Sequence, residues 1–127
     1  MKKLHHIIFG KRGAVTLPDE EIVLHLNPME RTLYYLFIIH PEGIASDDIL
    51  THWDELSRIY ARESCFDDPP LRSEALESLC AESKRVFYTN ISRIKMKFIS
   101  ALGSRKALPY IIARNKSGLY RTRATLG

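Results

Sequence analysis

The chain has 127 residues, 45% of them apolar, which suits a single domain spanning 1–127. No apolar run approaches the roughly 20 residues of a membrane span, and Ile7-Ile8-Phe9 is too short for a signal peptide, so a cytoplasmic protein with no membrane partner is expected. The net charge of +4 conceals a split: residues 83–127 carry eleven Lys and Arg and no acid, whereas residues 18–82 carry all fifteen Asp and Glu against four Arg, which implies a polyanion or an acidic protein surface as partner.

Residues 3–9 read as a strand ending in the apolar Ile7-Ile8-Phe9, and Gly10-Lys11-Arg12-Gly13 behind them reads as a hairpin turn. Ala14 to Leu17 makes the return strand, and Ile22, Leu24 and Leu26 alternate with Val23 and His25 as a third strand with one buried face. Residues 1–26 are thus expected to form a small antiparallel sheet. A helix begins at Asn27: this residue caps, Pro28 takes the first helical position and Glu30 closes a capping box. It runs to about His40 with Leu33, Tyr34, Leu36 and Phe37 inward, and Pro41-Glu42-Gly43 stops it. Ser46 is placed to cap a second helix, with Asp47 and Asp48 in its first turn and Ile49, Leu50, Trp53, Leu56 and Ile59 as its inner stripe. Residues 61–83 read as an acidic insertion turned away from a polyanion. Within it, Cys65-Phe66-Asp67-Asp68-Pro69-Pro70 reads as a loop, and Leu71 to Cys80 as a short helix with Leu76 and Leu79 inward.

The most strongly patterned stretch runs from Phe87 to Leu102, within a basic helix expected over about 84–102. Phe87, Ile91, Ile94, Phe98 and Leu102 fall on one narrow arc at 100° per residue and form a core-facing stripe. Thr89, Ser92, Arg93 and Met96 lie on the far side, with Asn90, Lys95 and Lys97 on the flanks. A helix that reads DNA needs this arrangement of one greasy face and one polar, cationic face; a solvated surface helix has it too. Gly103-Ser104 ends the helix. Pro109 then opens the β-prone run from Tyr110 to Arg114, Asn115-Lys116-Ser117-Gly118 turns, and Leu119 to Arg123 returns, giving a basic hairpin over 108–123.

Three stretches in this order resemble the C-terminal effector domain of OmpR/PhoB-type response regulators. Leu26-Asn27-Pro28-Met29-Glu30-Arg31-Thr32-Leu33 is similar to the family's L-T-P-x-E-x-x-L, His40-Pro41-Glu42-Gly43-Ile44-Ala45-Ser46 with Leu50 to its H-P-G-x-V-x-S-x-x-x-L, and Ile91-Ser92-Arg93-Ile94-Lys95-Met96-Lys97-Phe98 to its I-S-R-L-R-K-K-L. The resemblance implies an α+β winged helix-turn-helix with a small N-terminal antiparallel sheet, a three-helix core over 27–103 and a C-terminal β-hairpin wing. It further implies sequence-specific duplex DNA binding as a transcriptional regulator, without a cofactor. Arg93 aligns with the family's base-reading arginine, Asn90 and Lys95 with positions that face the backbone, and Arg114, Lys116 and Arg121 with the wing. The chain departs from the pattern in three ways. No receiver domain is expected: if Met1 is the natural start, phosphorylation is not the switch, unless a separate signalling protein supplies it. The segment before the basic helix, which in the family touches RNA polymerase or a neighbouring subunit, is longer. The wing has Ser117-Gly118-Leu119-Tyr120 where the family ends G-x-G-Y.

The expected base contacts are Arg93, able to hold guanine bidentately, and then Thr89, Ser92 and Met96. Asn90, Lys95, Lys97, Arg85, Arg114, Lys116 and Arg121 are the expected backbone contacts, and neutralising six phosphates would give a salt slope of roughly −5. Tyr88 reads equally as a backbone donor or a packed side chain, and Trp53 as core. A homodimer on DNA is left open. The alternative is a winged-helix interaction module that docks on an acidic partner or self-associates through its charge halves; RNA binding is weaker, because the aromatics fall on core positions. An enzyme is not expected: the five His are scattered with no pair at metal-ligand spacing, Cys65 and Cys80 form no Cys-x-x-Cys, and no nucleophile motif or phosphate loop appears.

Overall fold

The computed structural model describes residues 5–64 and 69–127. In chain order the elements are β1 (His6–Phe9), β2 (Ala14–Leu17), β3 (Ile22–His25), α1 (Pro28–Ile39), β4 (Ile44–Ala45), a 3₁₀ segment (Ser46–His52), α2 (Trp53–Glu63), α3 (Pro69–Leu79), α4 (Arg85–Leu102), the single turn α5 (Ser104–Ala107), β5 (Ala113–Arg114), β6 (Leu119–Arg121) and β7 (Thr125–Leu126). The architecture is α+β, with a small mixed sheet at one end, several helices and a second sheet built largely from C-terminal strands.

β1, β2 and β3 pair antiparallel in sequence, Phe9 opposite Val15 and Val15 opposite Leu24. Their alternation buries Ile7, Val15, Leu17 and Leu24. The expected strand over residues 3–9 starts at His6; Lys3 and Leu4 lie outside the described residues. The sheet is not purely antiparallel as expected, because β7 joins β1 in parallel, with Thr125 N–H donating to the His5 carbonyl at 2.8 Å and Gly127 N–H to that of Ile7 at 2.9 Å.

α1 carries the capping box in full: the Asn27 side chain accepts from Glu30 N–H at 2.8 Å and the Glu30 carboxylate from Asn27 N–H at 2.9 Å. Arg31, buried on the same helix, joins the two layers. Its guanidinium donates to the Gly10 and Ala14 carbonyls and to the Glu63 carboxylate, each at 2.8 Å. The second helix departs from expectation. Ser46 does not cap it; residues 46–52 take a 3₁₀ path and α2 begins at Trp53. The tighter winding rotates Leu50 out to 59% exposure and leaves Trp53 only partly buried against the core, while Ile49, Leu56 and Ile59 point inward. Pro69-Pro70, expected in a loop, starts α3, since proline is tolerated in a first helical turn; Cys65 to Asp68 lie outside the described residues. Leu76 and Leu79 of α3 are buried as the pattern indicated.

The core closes around aromatic rings. Phe98 of α4 stacks on Tyr110 with centroids 5.7 Å apart and packs against Tyr34 of α1 at 5.2 Å. The Tyr34 hydroxyl donates to the Tyr110 carbonyl at 2.7 Å, and the Thr122 hydroxyl donates to the same carbonyl at 2.9 Å. Burial holds the Tyr34 hydroxyl far above its ordinary pKa. The expected hairpin over 108–123 is shorter in its paired part, β5 and β6, and β4 lies on the other side of β6, Ile44 opposite Tyr120. Tyr110, Ile111 and Ile112 are buried rather than paired as strand.

Candidate nucleic-acid interface

α4 is seated by Phe87, Ile91, Ile94 and Phe98, all buried; Leu102, expected with them, is only half-buried at the helix end. Gly103 ends the helix, its N–H donating to the Ile99 carbonyl at 2.7 Å. The outward side carries Arg85, Thr89, Ser92, Arg93, Lys95 and Met96, all exposed. The first turn of α4 holds no acidic residue and no side-chain cap, so its positive dipole end is not neutralised there.

The two flanks of the helix behave differently. Lys95 faces solvent. Asn90 and Lys97, both expected on a DNA backbone, lie on the flank turned to α1 and β3 and have partners within the chain. Asn90 is 6% exposed and donates its side-chain N–H to the Val86 carbonyl at 2.8 Å. Lys97 pairs with Glu30, a carboxylate only 1% exposed. A carboxylate buried at a helix start needs a counter-charge, and Lys97 is the cation within reach. Thr89 keeps its exposure, but its hydroxyl donates back to the Arg85 carbonyl at 2.8 Å, leaving it chiefly an acceptor.

The C-terminal hairpin presents Arg114, Lys116 and Arg121, all exposed. Its turn is built by Asn115, whose side-chain oxygen accepts from the N–H groups of Ser117 (2.9 Å) and Leu119 (3.0 Å). Tyr120 fastens the hairpin to α4: its ring meets Phe87 edge-on at 5.3 Å and Tyr88 at 6.4 Å. Tyr88 is neither simply packed nor simply free; it is 46% exposed beside that junction. Lys84, at the helix entrance, is occupied by Asp47, which the sequence pattern did not indicate because the two residues lie 37 positions apart. Among the described residues, no acidic side chain pairs with Arg85, Arg93, Lys95, Arg114, Lys116 or Arg121. Tyr120 thus seats the hairpin that carries Arg114, Lys116 and Arg121 against the first turns of α4. Also among the described residues, no helix is long and apolar enough to cross a membrane. No protein-family model, curated protein or solved structure matches the chain.

Proposed function

We propose that the chain is a winged helix-turn-helix of the OmpR/PhoB effector type that binds duplex DNA as a sequence-specific transcription regulator. In this reading α4 lies in the major groove and the β5–β6 hairpin is the wing, set on the backbone or in the minor groove. The observation that carries it is the junction of Tyr120 with Phe87 and Tyr88. It sets the hairpin against Tyr88 at the start of α4, and the cations of both elements come from a segment, residues 83–127, with no carboxylate side chain of its own.

Within it the roles divide by chemistry. Arg93 offers a planar fork for guanine, and Ser92, Met96 and the Thr89 oxygen offer shorter contacts to neighbouring bases. Arg85, Lys95, Arg114, Lys116 and Arg121 meet phosphates, which set affinity and register rather than sequence. RNA polymerase, a separate signalling protein or a second copy of the chain on DNA are the partners such a regulator would add. Fluorescence anisotropy of a labelled random-sequence duplex, at low and moderate salt, tests the proposal. Binding that falls steeply with salt and weakens in Arg93→Ala and Lys116→Ala is expected. Absence of binding at low salt would overturn it and leave an acidic protein surface as the partner of the basic third.

A further inference from the structure

Where α1 ends, three side chains from three segments converge. His40 follows the last residue of α1, His52 closes the 3₁₀ segment and Glu55 stands in the first turn of α2. The Glu55 carboxylate meets His40 Nε2 at 3.0 and 3.1 Å and His52 Nδ1 at 2.9 Å. The two imidazole rings lie 4.7 Å apart, centroid to centroid. One donor atom from each of the three residues lies within 4.8 Å of the other two, and all three residues are half-buried. Two imidazoles and a carboxylate are a donor set that suits zinc and its borderline neighbours. The other nitrogen of His40, Nδ1, lies 3.1 Å from a Glu42 carboxylate oxygen. Without an ion, Nε2 donates to the Glu55 carboxylate; an ion would take the place of that proton, and Glu42 would hold the remaining one on Nδ1, the outer support common around metal-bound histidines.

We propose that His40, His52 and Glu55 bind one divalent transition-metal ion of the zinc class, with Glu42 as the outer partner of His40 and water in the fourth position. Bonds of about 2.0–2.1 Å to a tetrahedral ion set donors roughly 3.3 Å apart, so a side-chain adjustment of about 1.5 Å suffices. The ion would tie the end of α1 to the 3₁₀ segment and the start of α2. None of its ligands belongs to the proposed DNA surface, so the site stands or falls independently of that reading.

Titration calorimetry of the untagged chain with Zn²⁺ alone, after chelator treatment, is the test, with histidine ring ¹⁵N resonances followed on the same samples. Saturation at one equivalent is expected, with shifts at His40 and His52 and none at His5, His6 or His25. His52→Gln and Glu55→Gln should each weaken binding at least 10-fold, and Glu42→Gln about 10-fold. No saturable binding would overturn the proposal. So would binding unchanged in both ligand variants, or ring shifts confined to His5, His6 and His25. The ring shifts of the wild-type chain decide the matter even where a variant fails to fold.

Discussion

Arg93 and Lys97 stand one helical turn apart on α4 and are both basic, yet their environments separate them. Lys97 serves Glu30, whose carboxylate also accepts from Asn27 N–H at the start of α1. Removing one partner of a buried pair costs roughly 3–5 kcal/mol. Here the Lys97 side chain is 40% exposed and solvent screens part of the loss, so Lys97→Ala is expected to cost about 1–2 kcal/mol, read as a lowered Tm and a shifted denaturant midpoint. Arg93→Ala should leave both unchanged and act only on DNA affinity; equal destabilisation by the two would remove the distinction drawn between them. A second residue-scale effect concerns Asp19, whose carboxylate accepts from the His6 N–H at 2.8 Å and from the His6 ring at 3.0 Å. Its pKa is lowered, first by the backbone bond. A depressed carboxylate contributes stability above its unfolded value of about 3.9 and loses it as pH falls through the folded value. Asp19→Asn should therefore lower Tm at neutral pH, and the difference from wild type should vanish below the carboxylate range. A gap that persists in acid would mean that the effect is not one of charge.

The elements meet through a few close approaches, and Gly43 marks one of them. Its φ is +96°, and a Cβ there would lie 3.0 Å from both Leu119 Cβ and the Tyr120 carbonyl oxygen. The turn after α1 needs both the left-handed backbone and the missing side chain for β4 to reach β6. Gly43→Ala is expected to destabilise by about 1–3 kcal/mol from backbone strain, before any cost of the clash. Because β6 carries Tyr120, the same change should weaken hydrogen-exchange protection in the hairpin more than in α3. Uniform loss of protection would show instead that the hairpin does not open as a separate unit. At this scale the helical stripes were legible. The 3.6-residue period of α4 and the capping signals of α1 are local, and the local backbone follows them. The 3₁₀ path of residues 46–52 was not legible, because Ile49, Leu50 and Trp53 satisfy a helical spacing in sequence while the chain leaving β4 enters on a tighter winding.

Across the whole molecule the two charge halves of the sequence are partly paired with each other. Two of the eleven cations in residues 83–127 are consumed internally, Lys84 by Asp47 and Lys97 by Glu30, which lowers the number of cations available to phosphates. In the proposed DNA reading, five phosphate contacts, from Arg85, Lys95, Arg114, Lys116 and Arg121, would give a salt slope of about −4.5 for duplex binding. The double variant Lys116→Ala/Arg121→Ala should reduce that slope by roughly 2 without altering preference among sequences. A slope unchanged in the double variant would take the hairpin out of the interface.

The capping box, the alternation in β2 and β3, the buried stripe of α4 and the segregation of charge were all written in the amino-acid order, because each depends on neighbours within a few residues or on composition alone. Periodicity also marked which side of α4 faces out. It could not separate the solvent-facing flank, with Lys95, from the packed flank, with Asn90 and Lys97. That depends on where α1 and β3 lie against the helix, a relation between residues dozens of positions apart. β4 and β7 are two residues long and show no period of their own; they exist only because β6 and β1 stand beside them to take their hydrogen bonds. His40, twelve residues before His52, has no metal-ligand spacing in the sequence, although His52 and Glu55 already stand three apart on one helical face. Only the fold of the turn after α1 brings all three to one point, since convergence of donor atoms is a property of tertiary distance and not of order along the chain.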